Sequence, residues 1–429
     1  MSIDPAPTSN GQRSQLLTLL TEACELEHGL ACCYLYTAFT LKQNLSEGGL
    51  DWQQLQRVRY WAAQLYFIAA QEMLHLAQAW NLLTAIGGIP YYLRPNFPQP
   101  AKYYPLDLAL HIQRFSLGTL DRFIQFERPD DVPVKPEEPL TGQPAFTTVG
   151  QPAFTTVGEL YELIAQGFKH IPNVIIGDPK RQVTQDLIDF PQLIPVHDRN
   201  DALAAITLIT TQGEGIKKVH QDCHFEIFRN IRREYLTELA ATENVAAQDH
   251  SEGTLISDYD PVRPAISDPV AVEALYLGDS GANVITDPVT QQFASCFDSI
   301  YTHMLRMLQY VFDNATGDPA LLHAFGRGAL EAMTAVVKPL GEALTLMPAG
   351  PGYENQTAGP GFALGHYIAL PTDPRAAAIV NAEWLRELSN TLNGIAPSRA
   401  EIVQVTSAAT NLAVIADRFA ELRDQSPAT

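Results

Sequence analysis

Glu72 and His75 are the residues whose types and spacing point most directly to chemistry. They stand three positions apart in a mostly apolar run at 51–86, which the three- and four-residue recurrence of apolar side chains predicts to be one helix. Residues at that spacing lie on the same face of a helix. Because this face should be buried, and because a buried carboxylate needs a partner, the pair indicates a metal site.

Two further glutamates occupy core-facing positions in other predicted helices. A helical bundle that binds two metal ions takes a Glu-x-x-His pair from each of two helices and a single glutamate from each of two others. Glu27 lies on an apolar stripe of a helix that we expect to continue to about residue 42. Glu127 closes a similar stripe in a helix predicted to begin at Pro105. Both are therefore candidate metal ligands.

A fourth helix is predicted within 200–240, but it carries no Glu-x-x-His pair. Its acidic candidate is Glu214, and its histidine candidate, His224, comes ten positions later. Two glycines flank Glu214 and would each cost about 1 kcal/mol in a regular helix, so we expect a bulge or an inserted loop there. Two alternatives stay open. Glu214 belongs to a solvated loop with the lysines that follow it, or His220 replaces His224, one helical turn away on the same face.

The order of these residues resembles that in ferritin-like di-iron proteins. More narrowly, the tracts Glu-Leu-Glu-His at 25–28, Gln-Gly-Glu-Gly at 212–215 and His-Phe-Glu-Ile-Phe at 224–228 resemble the ferritin-like domain of iminophenyl-pyruvate dimer synthases of bisindole pigment pathways. The resemblance covers roughly residues 14–240. It implies a carboxylate-bridged pair of iron ions at the matching positions Glu27, Glu72, His75, Glu127, Glu214 and His224. Those synthases are much longer chains, so their named reaction does not transfer with one domain.

The elements that position these residues are predicted to be almost entirely helical. At 429 residues the chain is too long for one four-helix bundle, since domains average about 150 residues. The fold class is therefore all-α, with a ferritin-like four-helix bundle followed by a second helical bundle and with long irregular loops. The predicted parts are a disordered N-terminus at 1–13, the metal-binding bundle at 14–244 with a long insertion at 128–200, a linker at 245–287 and a C-terminal helical bundle at 288–429.

The insertion contains an eight-residue tract at 143–150 that is repeated without change at 151–158. Solenoid repeats have periods of about 20 residues or more, so this copy is not a solenoid unit. It is interpreted as extra surface loop, and its origin as a duplication or as an engineered change stays open. A short helix is predicted after it, at 159–166.

Composition excludes some partners. The formal net charge is −20, which disfavours nucleic acid and anionic membranes because both would be repelled. No apolar run reaches the roughly 20 residues of a membrane-spanning helix, and the start is not signal-like. The five cysteines show no Cys-x-x-Cys spacing and are interpreted as reduced, buried thiols. We therefore expect a cytoplasmic protein.

These observations favour a non-haem di-iron oxidoreductase that uses dioxygen on a small, largely apolar or amino-acid-derived metabolite. An external reductase is a possible partner, since no flavin or nicotinamide fingerprint is found in the sequence. The substrate, the reaction type and the oligomeric state stay open. The alternative is a non-catalytic ferritin-like protein that handles metal or binds a partner, although a chain of this length fits ferritin-type storage poorly.

Overall fold

The computed structural model describes residues 9–99, 110–129, 156–213, 222–248, 259–272, 281–365 and 368–425. Helices dominate this part of the chain, as predicted. They are α1 (Ser9–Phe39), α2 (Trp52–Ala85), α3 (Leu117–Phe126), α4 (Val157–His170), α5 (Arg199–Gly213), α6 (His224–Gln248), α7 (Pro288–Asp313), α8 (Pro319–Ala332), α9 (Lys338–Leu344), α10 (Pro374–Ile395) and α11 (Val403–Gln425). Two short parallel strands, β1 (Pro269–Val270) and β2 (Asn283–Val284), pair with each other. No helix among the described residues is both long enough and apolar enough to cross a membrane.

The long helices α1 and α2 pack against each other and form half of the N-terminal bundle. The other half is made of shorter helices in two pairs, because α3 packs on α6 whereas α4 packs on α5. The α4 helix packs against the start of α1, since a Cβ added at Gly167 would lie 2.8 Å from the Leu16 side chain. The α3 and α6 end lies farther along α1, where Tyr34 contacts Phe123 and Phe228. Each of the other two sides of the bundle thus consists of two short helices, α3 with α4 on one side and α6 with α5 on the other, in place of one long helix.

The α2 helix follows the prediction to within one residue at both ends because its signals are local. The Asp51 side chain accepts a hydrogen bond from the backbone N–H of Gln54, and the Gln54 side chain accepts one from the N–H of Asp51. This capping box satisfies two N–H groups that have no partner within the helix. At the other end Gly87 takes a positive φ of 85°, which ends the helix at little steric cost.

The predicted start of the third helix at Pro105 is wrong for the residues that the structure describes. Residues 110–116 are not helical, and α3 begins only after Ser116, whose side chain caps it. The backbone N–H groups of Ile112 and Phe115 donate instead to Asp268 and Thr40, which are distant in sequence. These side chains satisfy backbone groups that a helix would have paired locally.

The predicted fourth helix is divided between α5 and α6 in the described residues. The last described residue of α5 is Gly213, residues 222 and 223 are not helical and α6 begins at His224, which agrees with the expected break. Glu214 and His220 both lie outside the described residues, as does most of the repeated tract at 143–158. The short helix after that tract is longer than predicted and forms α4. Residues 9–13, predicted to belong to a disordered N-terminus, are part of α1.

In the C-terminal half, α7 is buried along most of its length between α8 and α10, and α11 packs on α10. The helices α7, α8 and α10 begin with proline directly after an aspartate N-cap, as is typical of helix starts. This half packs directly on the first. An added Cβ at Gly341 would lie 2.5 Å from the Phe39 ring, and buried apolar residues of both halves form one continuous cluster. The division into domains stays a prediction.

Candidate metal centre

Five of the six predicted ligands meet at the point where the interrupted helices face α1 and α2. Each is at most 2% exposed. They come from α1, from α2, from the C-cap of α3 and from the first residue of α6: Glu27, Glu72, His75, Glu127 and His224. The sixth, Glu214, lies outside the described residues. Sequence spacing alone could not have shown that the break before α6 directs its first side chain into the cluster.

The cluster consists of two overlapping triads that share Glu72. One triad is Glu27, Glu72 and His75; the other is Glu72, Glu127 and His224. Within each triad one potential ligand atom per residue lies within 4.8 Å of the others. Each triad offers two carboxylates and one imidazole, so the two halves are chemically alike.

Glu72 lies between the two histidines. Its Oε2 is 3.0 Å from His75 Nδ1, and its Oε1 is 2.9 Å from His224 Nδ1. On the outer sides, Glu27 Oε2 is 3.4 Å from His75 Nδ1 and Glu127 Oε2 is 3.5 Å from His224 Nδ1. A carboxylate with one oxygen in each triad has the position of a bridging ligand between two metal ions.

The geometry fits a metal better than it fits a set of hydrogen bonds. Glu72 Oε1 and His224 Nδ1 are fully buried, and although they are 2.9 Å apart neither has an aligned hydrogen-bond partner. Buried polar atoms are seldom left without partners. Carboxylate oxygen with imidazole nitrogen is a donor set that suits iron and other first-row divalent metals. The residues present therefore fit a pair of such ions.

Two glutamines support the histidines from behind. Gln212 Oε1 lies 2.9 Å from His75 Nε2, and Gln71 Oε1 lies 3.0 Å from His224 Nε2. An amide oxygen only accepts hydrogen bonds, so each Nε2 carries a proton, and each Nδ1, which faces the carboxylates, is the nitrogen that would bind a metal ion once its own proton is lost. Gln212 is itself held by Gln192, whose Oε1 accepts from Gln212 Nε2 at 2.9 Å. Such partners orient a metal-bound imidazole and fix its tautomer.

Without metal, the cluster retains protons. Burial and the neighbouring Glu72 raise the pKa of Glu27 to about 7. Burial opposes the charged form of His224, but Glu72 and Glu127 outweigh it and raise its pKa to about 9. The pKa of His75 is raised well above its usual value, with burial opposed chiefly by Glu72. Burial alone would raise the pKa of Glu72, but the neighbouring His224 and His75 hold that pKa below its usual value. Metal ions would displace these protons.

Two buried tyrosines donate to the outer carboxylates. The Tyr34 hydroxyl donates to Glu127 Oε1 and the Tyr161 hydroxyl donates to Glu27 Oε1, both at 2.5 Å. From the sequence, Tyr34 is interpreted as a core aromatic, and it does pack edge-on against Phe123. Sequence reasoning missed Tyr161, Gln71 and Gln212. The one available signal for Tyr161 was its place on the apolar face of the predicted helix after the repeated tract.

The space among the carboxylates is small. A cavity of about 10 Å³ is lined by ligands on one side and by apolar parts of α1, α4 and α5 on the other, among them Leu30, Val157 and Ile209. A volume of that size holds about one water molecule. Gly213 ends α5 beside it, and a Cβ there would lie 3.2 Å from Glu127 Oε2. The absence of a side chain at this position leaves room for the carboxylate.

Fold and site together define a helical bundle with a buried cluster of carboxylates and imidazoles that could hold metal ions. Residues 20–233, which include every described residue of the cluster, match the family model described as ferritin-like. This part of the chain belongs to the ferritin-like family. The expected resemblance is thereby confirmed at the level of the family.

Two curated relatives are similar over most of this chain. One is dichlorochromopyrrolate synthase of Lentzea aerocolonigenes, 25% identical over 97% of this chain and 42% of its own length. The other is 2-imino-3-(indol-3-yl)propanoate dimerase of Chromobacterium violaceum, 24% identical over 82% of this chain and 34% of its own. The chain thus spans less than half the length of either relative, and both relatives are named as enzymes. A solved structure of a ferritin-like protein from Caulobacter vibrioides, 16% identical, aligns with a TM-score of 0.43 over 74% of this chain and 94% of that one.

Proposed function

We propose that this protein is a non-haem di-iron oxidoreductase that uses dioxygen to oxidise a small, largely apolar or amino-acid-derived metabolite. The observation that carries the proposal is the position of Glu72, with one oxygen facing each histidine in a buried cluster. Three carboxylates that form no ion pair with lysine or arginine among the described residues are expected to be compensated by metal cations.

In this proposal each residue of the cluster has a distinct part. Glu72, which belongs to both triads, would help to hold both ions. Glu27 and His75 complete one half of the site, and Glu127 and His224 complete the other, with about two iron ions per chain. Glu214 is proposed as a further ligand on the basis of the family resemblance. When bound, iron would supply the redox chemistry that transfers electrons between the organic substrate and dioxygen.

The protein's own contribution is orientation, proton binding and exclusion of water. Gln71 and Gln212 hold the imidazole rings with Nδ1 toward the metal sites. Tyr34 and Tyr161 donate to the outer carboxylates and so restrict their rotation. The surrounding cavity is small and buried, and electrostatic interactions are stronger in such an environment than in bulk water. Glu27, whose pKa is raised to about 7 in the metal-free cluster, would have to release its proton before it could bind an ion.

The substrate class follows from the relatives only as a proposal. One relative's name specifies an indol-3-yl propanoate, which is an aromatic carboxylic acid. A molecule of that general kind, derived from an amino acid and largely apolar, is the substrate class that we propose. The complete reactions of the relatives are not carried over, because this chain corresponds to less than half of each. Reduction of dioxygen to water takes four electrons, so for a reaction that produces water an external reductase would supply those that the substrate does not.

The proposal is tested by loading the metal-free protein with ferrous iron under anaerobic conditions. Iron per chain is measured, oxygen is then added, and both oxygen consumption and near-ultraviolet absorbance are followed. We expect about two irons per chain. Glu72→Gln should lose both ions, whereas Glu238→Gln is a matched control. Glu238 is also a buried glutamate of the same bundle, but it pairs with Arg57 and lies outside the cluster.

Two results would count against the proposal. Failure of the parent protein to bind stoichiometric iron would remove the di-iron centre. Stoichiometric binding without oxygen consumption, with and without a chemical reductant, would instead favour a metal-handling protein. Equal loss of iron in the Glu238→Gln control would show that binding depends on general stability and not on the bridging carboxylate.

A further inference from the structure

A second buried polar cluster lies in the C-terminal half, between α7 and α10. Its members are His303 and Arg306 on α7 and Asn381 and Trp384 on α10. His303 and Asn381 are at most 1% exposed and Arg306 is 8% exposed, whereas the Trp384 indole is 43% exposed. The cluster thus reaches from the buried interface of the two helices to the surface. It shares no residue with the metal centre.

The hydrogen bonding within this cluster is incomplete. His303 Nε2 lies 2.7 Å from Asn381 Oδ1, so the ring nitrogen donates and the amide oxygen accepts. That assignment leaves three fully buried atoms without a partner: His303 Nδ1, Asn381 Nδ2 and Arg306 Nε. Native interiors rarely contain several such atoms side by side. Two of the three are donors, so the missing partner is mainly an acceptor.

Arg306 is also a cation without a carboxylate among the described residues. In the described part of the chain, the two other buried guanidinium groups have partners, since Arg263 pairs with Glu47 and Arg94 donates to the carbonyl oxygen of Phe362. The buried acid of α7, Asp298, accepts instead from the backbone N–H of Ala363. The Nε of this guanidinium is fully buried, and a buried donor is costly unless a partner satisfies it.

The charge and shape of the cluster define what that partner should be. Burial, with a smaller contribution from Arg306, lowers the pKa of His303 to about 4, so its ring is neutral at pH 7. Arg306 is then the one positive charge in the cluster, which suits a monoanion. A guanidinium matches the planar shape of a carboxylate. The Arg306 guanidinium carbon lies 5.5 Å from the centre of the Trp384 ring, whose exposed part offers an aromatic surface beside the cation.

We propose that Arg306, Asn381 and Trp384 form a binding site for a small aromatic carboxylate, separate from the metal centre. The carboxylate accepts hydrogen bonds from Arg306 and Asn381, and its ring lies against Trp384. Because the site is built from different helices, this proposal does not depend on the metal chemistry. It assigns a ligand-binding role to the C-terminal half of the chain.

The test measures binding of benzoate to the full-length protein by calorimetry, with benzamide as the uncharged analogue. We expect benzoate to bind at least about tenfold more tightly than benzamide, since one charge-assisted hydrogen bond is worth roughly that much. Arg306→Gln should weaken benzoate binding at least about tenfold and leave benzamide unchanged. Arg386→Gln is the matched control, because Arg386 is an arginine of α10 that lies outside the cluster and pairs with Asp417 on α11. Trp384→Ala should remove the advantage of benzoate over acetate.

Two further measurements separate this site from the metal centre. Glu72→Gln should bind benzoate as the parent does, and Arg306→Gln should retain the metal content of the parent. The proposal is overturned if benzoate and benzamide bind alike, if neither binds, or if Arg306→Gln binds benzoate normally. It is likewise overturned if benzoate binding is lost in Glu72→Gln, because the metal centre would then be the binding site. Should Arg306→Gln not fold, the comparison of benzoate with benzamide on the parent and on Asn381→Ala decides the outcome.

Discussion

The metal centre and the polar cluster between α7 and α10 bury ionisable groups with opposite imbalances of charge. The first brings three carboxylates together with two imidazoles, and the second holds a guanidinium beside an imidazole and a carboxamide. Apart from the protons on its own side chains, the first has no lysine or arginine partner among the described residues, and the second has no carboxylate partner among them. Because an uncompensated buried charge is costly, the sign of the imbalance indicates the missing partner: a cation in the first region and an anion in the second.

The histidines of the two regions show the same contrast. His224 and His303 are both almost completely buried, and burial disfavours the charged ring in each. Glu72 and Glu127 outweigh burial at His224 and raise its pKa to about 9. At His303 burial is reinforced by Arg306, and the pKa falls to about 4. Burial acts on both rings in the same direction, and the neighbouring carboxylates are what let His224 hold a proton while His303 stays neutral.

The largest expected effect is that of metal on stability, because it tests whether the first region needs a cation. A ligand that binds only the folded state, at a free concentration 1,000 times its dissociation constant, stabilises that state by about 4 kcal/mol. We therefore expect a chelator to lower the free energy of unfolding of the loaded protein by about that amount. Denaturant titrations with and without chelator measure it.

Matched variants make this result specific to the region. For Glu72→Gln, the free energy of unfolding should be the same with metal and with chelator. For Arg306→Gln, the chelator should lower that free energy as much as it does in the parent. If the metal stabilised Glu72→Gln as much as the parent, the carboxylate cluster would not be the site of binding. The contrast between the two regions would then fail at its first step.

The next effect is the pH dependence of the metal-free protein. His224 has a folded pKa of about 9, above its unfolded value, so the stability that it contributes is present below pH 6.5 and is lost as pH rises through 9. Its shift corresponds to about 3 kcal/mol. Glu27, with a pKa raised from 4.5 to about 7, also contributes stability that is lost as pH rises, in its case between about pH 4.5 and pH 7. His303 acts oppositely, since a folded pKa of about 4 means that its contribution is present above pH 6.5 and lost as pH falls through 4.

The two limbs of this profile should respond differently to metal. Stability of the metal-free protein should fall from pH 6.5 to 9, and bound metal should abolish that fall because it takes the place of the protons. The loss of stability as pH falls from 6.5 to 4, which is the acid limb of the profile, should persist with bound metal. This loss should be smaller in His303→Gln. Unfolding measured at several pH values tests both limbs. An alkaline fall of equal size in the loaded and metal-free proteins would contradict the proton account of the cluster.

The third effect concerns the glutamine behind His75. Gln212→Leu removes the acceptor that fixes the ring, and changes at such supporting positions weaken metal binding by about 10- to 100-fold. Gln78→Leu is a matched control, since Gln78 is a buried glutamine of α2 that bonds the backbone of Ile194 and no histidine. Metal titrations on folded protein should separate the two variants. Equal affinities in both would show that the ring orientation does not depend on Gln212.

Sequence reasoning worked where the signals were local. The ends of α2 were predicted to within one residue because the capping residues stand next to them. Glu27, Glu72 and Glu127 were found because a carboxylate on an apolar stripe stands out from its neighbours in the sequence itself. The start of α3 was missed because its preceding backbone bonds to Asp268 and Thr40, and no local pattern encodes such partners.

Single polar residues from distant segments were the hardest to predict. Arg306 and Asn381 are separated by 75 positions, and neither belongs to a motif. Tyr161 stands 134 positions from Glu27, in a helix that follows the repeated tract. A lone tyrosine on an apolar helical face has the pattern of an ordinary core residue. Its contact with the carboxylate depends on the packing of α4 against α1 and α5, which only the folded chain shows.

The smallest expected effect is that of Tyr161 itself, where a neutral donor and not a charge is removed. The hydroxyl stabilises the charged form of Glu27, so Tyr161→Phe should raise the pKa of that carboxyl further above its present value of about 7. Metal must then displace a more tightly held proton, and affinity should fall by about three- to tenfold, which is the effect of one hydrogen bond. Since Glu27 in the parent loses its proton near pH 7, the loss should be larger at pH 6.5 than at pH 9. Tyr36→Phe is the control, because Tyr36 is equally buried on α1 but donates to the carbonyl oxygen of Ile266. A Tyr161→Phe variant that matched this control at both pH values would show that the charged groups alone set the metal affinity of the cluster, and the contrast between the two regions would then be one of charge only.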